Sequence, residues 1–182
     1  MSSILKQFLR SAKHTGAVAA SSRYLAQKMV ARANLRDAKI IIELGPGTGA
    51  ITKYILKNKP ADARLLTLEI NPEFVRELKK KYQGATHFLA DFLEMKEILK
   101  KEGVIKVDAI ISGIPFANFS KAEVGRMLDV VSEIMDKDSR FVLFTYVKSK
   151  IKTFFSKFDK VSVDFVAANI PPAHVLTLRK KS

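Results

Sequence analysis

Ile40-Ile41-Ile42-Glu43-Leu44 runs without a break into Gly45-Pro46-Gly47-Thr48-Gly49. An almost continuous apolar run of this kind suits a strand buried on both faces, as in a parallel sheet covered by helices. Glycines at alternate positions directly after it form a turn that takes left-handed conformations, and a ligand can approach the main chain there without a Cβ in the way. In open α/β sheets ligands bind at the carboxyl ends of strands, so this one stretch predicts both a fold and the place of its site.

The rest of the chain repeats the alternation. Strand-like runs at Lys39–Leu44, Arg64–Ile70, Thr86–Ala90, Val107–Ser112 and Arg140–Val147 are separated by helical patterns near Thr48–Asn58, Pro72–Tyr82, Phe92–Lys101 and Lys121–Asp136. Asn71-Pro72 reads as an N-cap followed by proline at the first helical position. Lys160–Ala168 and Ala173–Leu178 are β-rich but separated by only Asn169-Ile170-Pro171-Pro172, too short for a crossover, so this pair is expected to be antiparallel. The expected architecture is α/β and Rossmann-like, a seven-stranded, mostly parallel sheet with a C-terminal antiparallel hairpin and helices on both faces.

A chain of 182 residues with 47% hydrophobic content fits one core, and the lack of cysteine excludes disulfides and thiolate metal sites. Neither a signal peptide nor a membrane-length apolar run is visible. The formal net charge of +14 favours a polyanionic partner, either nucleic acid or an acidic lipid surface.

Gly45, Gly47 and Ala50 satisfy the dinucleotide pattern G-x-G-x-x-A, with Glu69 placed for ribose hydroxyls. A fuller set adds Glu43 before the loop, Gly49 within it, Glu69 after the second strand and Asp91 after the third. This set resembles the class I S-adenosylmethionine-dependent methyltransferases, from about Asp37 to Leu178. The resemblance implies S-adenosylmethionine as cofactor, S-adenosylhomocysteine as product and no metal. The cofactor carries no phosphates, so the glycines serve close backbone approach. Glu69 would accept from a ribose diol and Asp91 from the adenine amino group, since ionised acids offer only acceptors. Glu43 is carried over beside the sulfonium or the amine of the cofactor, and Ile70, Phe92, Ser112 and Gly113 complete the expected cofactor contacts. Glu69, Asp91 and Gly49 each also have a structural role open to them, as helix caps or as the start of a helix.

The fourth strand ends in Ser112-Gly113-Ile114-Pro115-Phe116. Amino-methylating members of the superfamily have a polar residue, a proline and an aromatic at this place, which hold the substrate nitrogen, so Ser112 is a candidate catalytic residue and N-methylation the implied reaction. Ribosomal RNA adenine dimethyltransferases are similar in the glycine motif. This chain departs from them in having Ser112 and Gly113 where asparagine is usual, and in ending after the hairpin where those enzymes continue into a helical domain.

Ile4, Leu5, Phe8, Leu9 and Ala12 recur at helical spacing with Lys6, Arg10 and Lys13 between them, the pattern of a short basic amphipathic helix at a membrane interface. This helix, the Gly16-Ala17-Val18 to Ser21-Ser22-Arg23 stretch, Ser112–Phe116, Phe144-Thr145-Tyr146 and Asn169-Ile170-Pro171-Pro172-Ala173 together resemble the small soluble bacterial phospholipid N-methyltransferases. That resemblance implies stepwise methylation of phosphatidylethanolamine toward phosphatidylcholine. An ornithine-type lipid is an open substitute, and adenine of ribosomal RNA is the alternative. A non-catalytic binding module of the same fold is the third reading.

The expected organisation is an N-terminal helical region over 1–36, which touches the membrane and lids the site, and a methyltransferase domain over 37–182. Ile4–Lys13 would hold a monomer to an anionic membrane surface at the inner face of the cell membrane, with no nucleic acid as partner. A lipid amine must lose its proton before it attacks a methyl group. Tyr146, at the end of the fifth strand, and His174, after the Pro171-Pro172 turn, are the candidate bases. Lys148, Lys150 and Lys152, or Arg179, Lys180 and Lys181, would meet the lipid phosphate.

Overall fold

The isoleucine run forms β1 (Ile40–Leu44) at the centre of a seven-stranded sheet. The computed structural model describes residues 16–116 and 119–181, with side chains from Arg23 onward except Lys150. The expected Ile4–Lys13 helix lies outside the described residues.

β1 pairs in parallel with β2 (Arg64–Glu69) on one side and β4 (Val107–Ser112) on the other, and β3 (Thr86–Leu89) continues beyond β2. β5 (Met135–Thr145) lies parallel to β4. β7 (Ala173–Lys180) then pairs antiparallel with both β5 and β6 (Phe158–Val166), which gives the order β3-β2-β1-β4-β5-β7-β6. Strand order reverses between β1 and β4, so a crevice opens at their carboxyl ends.

Helices cover both faces. α1 (Gly16–Ala33) buries Leu25, Ala26, Met29, Val30 and Ala33, and α2 (Thr52–Asn58) buries Ile55, against Ile41, Leu65, Ile111, Val142 and Val175. Arg32 of α1 reaches over the sheet edge to a two-pronged ion pair with Asp164 of β6. On the opposite face lie α4 (Met95–Lys101), α5 (Lys121–Ile134) and α6 (Ile151–Phe154), packed on Ile42, Leu66, Ile110, Phe141, Leu143 and Leu176. α3 (Pro72–Lys81) starts as its sequence signals: Pro72 opens it and Asn71 Oδ1 accepts the Glu73 N–H at 2.9 Å.

Two boundaries differ most from the expectation, the others by three residues or fewer. α2 begins at Thr52 and not at Thr48, because Gly49 sits at φ 85°, outside helical space. α5 ends at Ile134 and β5 begins at Met135, five residues before the expected Arg140. This polar stretch is held extended by Ser139, whose hydroxyl donates to Val107 O at 2.6 Å and accepts the Asp136 N–H at 2.8 Å.

Candidate active site

Side chains alternate along β1, so Ile40, Ile42 and Leu44 face α5 while Ile41 and Glu43 face α1 and α2. Glu43 is fully buried beside the glycine loop. Its Oε2 accepts from Thr52 Oγ1 at 2.7 Å, and its Oε1 is buried with no partner. Burial, opposed in part by the Thr52 hydrogen bond and reinforced by the charge of Glu69, pushes the Glu43 carboxyl up to about 8. A buried carboxyl oxygen without a donor is costly unless something fills the position.

The loop itself is held open. Gly45, Gly47 and Gly49 take φ of 65°, 55° and 85°. A Cβ on Gly49 would lie 2.2 Å from the Tyr82 ring, and one on Gly113 would lie 2.6 Å from Gly45 O, so these glycines let the protein close on itself. Gly47 is different, because a Cβ there would meet nothing within 4 Å. Its conformation and the free space beside it mark the side of the loop that a ligand can approach.

Glu69, at the end of β2, braces this loop. Its Oε2 accepts the Gly47 N–H at 3.0 Å, and its Oε1 accepts those of Ile70 and Asn71, each at 2.9 Å. Three of roughly four acceptor positions on the carboxylate are thus filled by main chain. The expected role of Glu69 as a free acceptor for a diol is narrowed: the residue is where the sequence placed it, but one acceptor position remains. Asp91 caps the 3-10 turn Phe92–Glu94 through a reciprocal pair, Asp91 Oδ1 accepting from Leu93 N at 3.0 Å and Glu94 Oε1 from Asp91 N at 2.8 Å. Phe92 is half-buried and packs on the core beneath α5.

The end of β4 closes against the loop. Gly113 N donates to Leu44 O at 2.8 Å, and fully buried Ser112 accepts the Ile114 N–H at 3.3 Å, so its own hydroxyl proton stays available. Glu43, the glycine loop, Glu69, Ser112 and Gly113 are therefore one continuous arrangement at the switch point of the sheet.

The two candidate bases are not brought together. Tyr146 packs edge-on against Phe144, ring centroids 5.2 Å apart, on the face shared with Glu43 and α1. His174 pairs with Thr145 and Phe165 in register and lies on the α5 face, its ring 5.2 Å from that of Phe165 and its Nδ1 buried without a partner. Register decides this: β7 crosses β5 with His174 opposite Thr145, and one position of slip would exchange the faces.

Sequence reasoning passed over the function of two residues. Thr52 had no motif to mark it. Asn169 was part of a quoted stretch, but its place is visible only in three dimensions: it is 2% exposed, donates from Nδ2 to Pro171 O at 2.6 Å and lies beside the Tyr146 hydroxyl. Burial raises the Tyr146 phenol above its ordinary value, and Asn169 works against that, in the sense of an N–H donated to the phenol oxygen. Among the described residues, no three His, Asp or Glu side chains are grouped to hold a metal, and no helix is long and apolar enough to cross a membrane.

The family described as ribosomal RNA adenine dimethylase matches residues 19–158. The ornithine lipid N-methyltransferase of Singulisphaera acidiphila is 29% identical, over 93% of this chain and 90% of that protein. Ribosomal RNA small subunit methyltransferase A of Thermotoga petrophila is 27% identical, over 93% of this chain and 68% of that protein. Among solved structures, the 1,6-didemethyltoxoflavin-N1-methyltransferase of Burkholderia thailandensis, with S-adenosylhomocysteine bound, superposes at a TM-score of 0.74 with 15% identity, over 98% of this chain and 88% of that one. Magnesium protoporphyrin IX methyltransferase of Synechocystis, with its methyl donor bound, gives 0.67 with 14% identity, over 100% and 86%. At such identities the likeness shows the fold.

Proposed function

The chain belongs to the ribosomal RNA adenine dimethylase family, and we propose that it is an S-adenosylmethionine-dependent N-methyltransferase acting on the primary amine of a membrane lipid. The observation that carries the methyl-transfer reading is the unfilled carboxyl oxygen of Glu43, buried next to a glycine loop with free space at Gly47. A cofactor bearing a sulfonium and an ammonium group suits that position, and its neutral ribose and adenine suit a loop without phosphate-binding charges. When bound, S-adenosylmethionine supplies an electrophilic methyl group, and S-adenosylhomocysteine is the product.

The residues divide the work. Thr52 orients Glu43, whose carboxylate holds the positive end of the cofactor. Glu69 fixes Gly47 and offers its last acceptor position to the ribose, Asp91 lies at the next strand end for the adenine, and Ile70, Phe92 and Gly113 wall the pocket. Ser112 keeps a hydroxyl proton for a polar group on either ligand. A lipid amine has a pKa near that of lysine, ~10.4, so its deprotonation at pH 7 costs roughly 4–5 kcal/mol. Tyr146 is no strong base, because its phenol is raised by burial and stays neutral at that pH. Its oxygen accepts an N–H from the amine, aims the nitrogen lone pair and leaves the proton to pass to water. His174, on the opposite face, is not needed for this step.

Similarity along nearly the whole of the Singulisphaera enzyme supports an ornithine-type head group as first substrate. Phosphatidylethanolamine, favoured by the motifs in the sequence, is the second head group. The net charge of +14 suits an acidic lipid surface and ribosomal RNA alike, which keeps the RNA as the other reading. The test is mass spectrometry of lipid recovered after incubation of the protein and S-adenosylmethionine with vesicles containing either amino lipid. Mono-, di- or trimethylated lipid supports the proposal, and unmodified lipid in both overturns it.

A further inference from the structure

The hairpin between β6 and β7 ends in Phe165-Val166-Ala167-Ala168-Asn169-Ile170-Pro171-Pro172-Ala173. These nine residues contain no charged group in a chain where 27% of residues are charged. Phe165 is 61% and Ile170 70% exposed, and Ala167, Ala168, Pro171 and Pro172 are exposed with them. The one polar side chain of the stretch, Asn169, is turned inward to Pro171 O and Tyr146. What the tip shows to its surroundings is therefore apolar, and contiguous exposed apolar surface on a soluble domain marks an interaction site.

Its position is specific. Asn169 lies beside the Tyr146 hydroxyl, so the tip adjoins the end of β5, where Tyr146 and Val147 are each 37% exposed at the carboxyl edge of the sheet. Lys148 directly follows Val147, and Lys152 lies a turn further on, both exposed. The acids of β6 are kept out of the way. Asp164 lies on the α1 face, opposite to Phe165, and is neutralised by its pairing with Arg32, and Asp159 stands at the far end of the strand opposite Arg179.

We infer that the Phe165–Ala173 tip inserts into an anionic lipid bilayer and sets the mouth of the active site against it. This inference rests on the lipid reading of the site. Interfacial binding combines buried apolar area with cations that meet acidic head groups, and the tip with Lys148 and Lys152 supplies both. A nucleic acid is the poorer occupant, because the exposed side chains of the tip itself offer no cation or donor to a phosphate, and two flanking lysines would leave that apolar surface uncovered. Tyr146, apolar in its ring and polar at its end, then sits at head-group depth, where a lipid amine arrives.

The chain contains no tryptophan, so a single introduced one reports without background. Ile170→Trp and, separately, Phe165→Trp are made in the full chain and mixed with vesicles of phosphatidylglycerol and phosphatidylethanolamine. The expected result is a blue shift of emission and quenching by brominated lipid in both variants. Phe165→Ser combined with Ile170→Ser should lower vesicle partitioning about tenfold or more. Unchanged emission in protein that still methylates vesicle lipid would overturn this surface alone. A blue shift that appears without vesicles and grows with protein concentration would assign the tip to a second copy of the chain and overturn it too. A response to RNA with none to vesicles would overturn both the surface and the lipid reading.

Discussion

Thr52 Oγ1 donates to Glu43 Oε2 at 2.7 Å, and the other carboxyl oxygen of Glu43 receives nothing. The Glu43 carboxyl, pushed up to about 8 by burial, is mostly protonated near neutrality until a cation arrives beside it. Affinity for S-adenosylmethionine should therefore rise as pH is raised from about 6.5 to about 8.5, by up to tenfold per unit below the pKa, with release of a proton on binding. Titration calorimetry in buffers of different ionisation enthalpy measures both. In Glu43→Gln the proton release attributable to this group should vanish.

The same group makes the cofactor-free protein pH-sensitive in a definite sense. The folded state holds the Glu43 proton more tightly than the unfolded chain, whose value is near 4.5. Its stabilising contribution is complete below about 4.5 and is lost as pH rises through about 8, on the order of a few kcal/mol in all. Thermal denaturation should show wild type losing stability relative to Glu43→Gln between about pH 5 and pH 8.5. Parallel curves would show that Glu43 is already ionised in the free protein.

Two glycines of one loop should fail in different ways. Gly49→Ala forces a methyl group against the Tyr82 ring and should destabilise the fold by ~1–3 kcal/mol. Gly47→Ala adds only the strain of a left-handed residue, ~1–2 kcal/mol, because its Cβ meets nothing in the protein. Its larger effect should be on cofactor affinity, since the ligand is what occupies that space. Denaturant titrations paired with cofactor binding separate the two. Equal loss of cofactor affinity per unit of lost stability in both variants would contradict this division.

How far the sequence revealed these features depends on the physics behind each. β1, β2 and β4 are legible because a strand buried on both faces must be mostly apolar, as Ile40–Leu44 and Val107–Ser112 are apart from Glu43, Asp108 and Ser112. The start of β5 was hidden, because Asp136, Lys137 and Asp138 carry no strand pattern and depend on Ser139 bonding to β4. In the site, Glu43, Glu69, Asp91 and the glycines were legible by their place at strand ends. The commitment of Glu69 to the Gly47 N–H was not, since a carboxylate's choice between a loop and a ligand leaves no mark on spacing. The separation of Tyr146 from His174 depends on the β5–β7 register, and nothing local in either strand records it.

If Tyr146 orients the amine, Tyr146→Phe should lower kcat by about a hundredfold while cofactor affinity stays within about twofold. His174→Ala should leave kcat within about threefold, because a residue on the opposite face does no proton transfer, a step that would be worth about a hundredfold or more. Steady-state kinetics on vesicle substrate check both. Loss of turnover in His174→Ala with Tyr146→Phe unaffected would reverse the assignment.

The central claim is that the amine belongs to a lipid. Purified protein is given S-adenosylmethionine with a labelled methyl group, together with vesicles containing an acidic lipid and an ornithine-type lipid or phosphatidylethanolamine, and with ribosomal RNA in the same tube. The account predicts label in the lipid fraction, lost in Gly47→Ala, and background label in RNA. Label confined to RNA would contradict it and assign the basic surface to a nucleic acid.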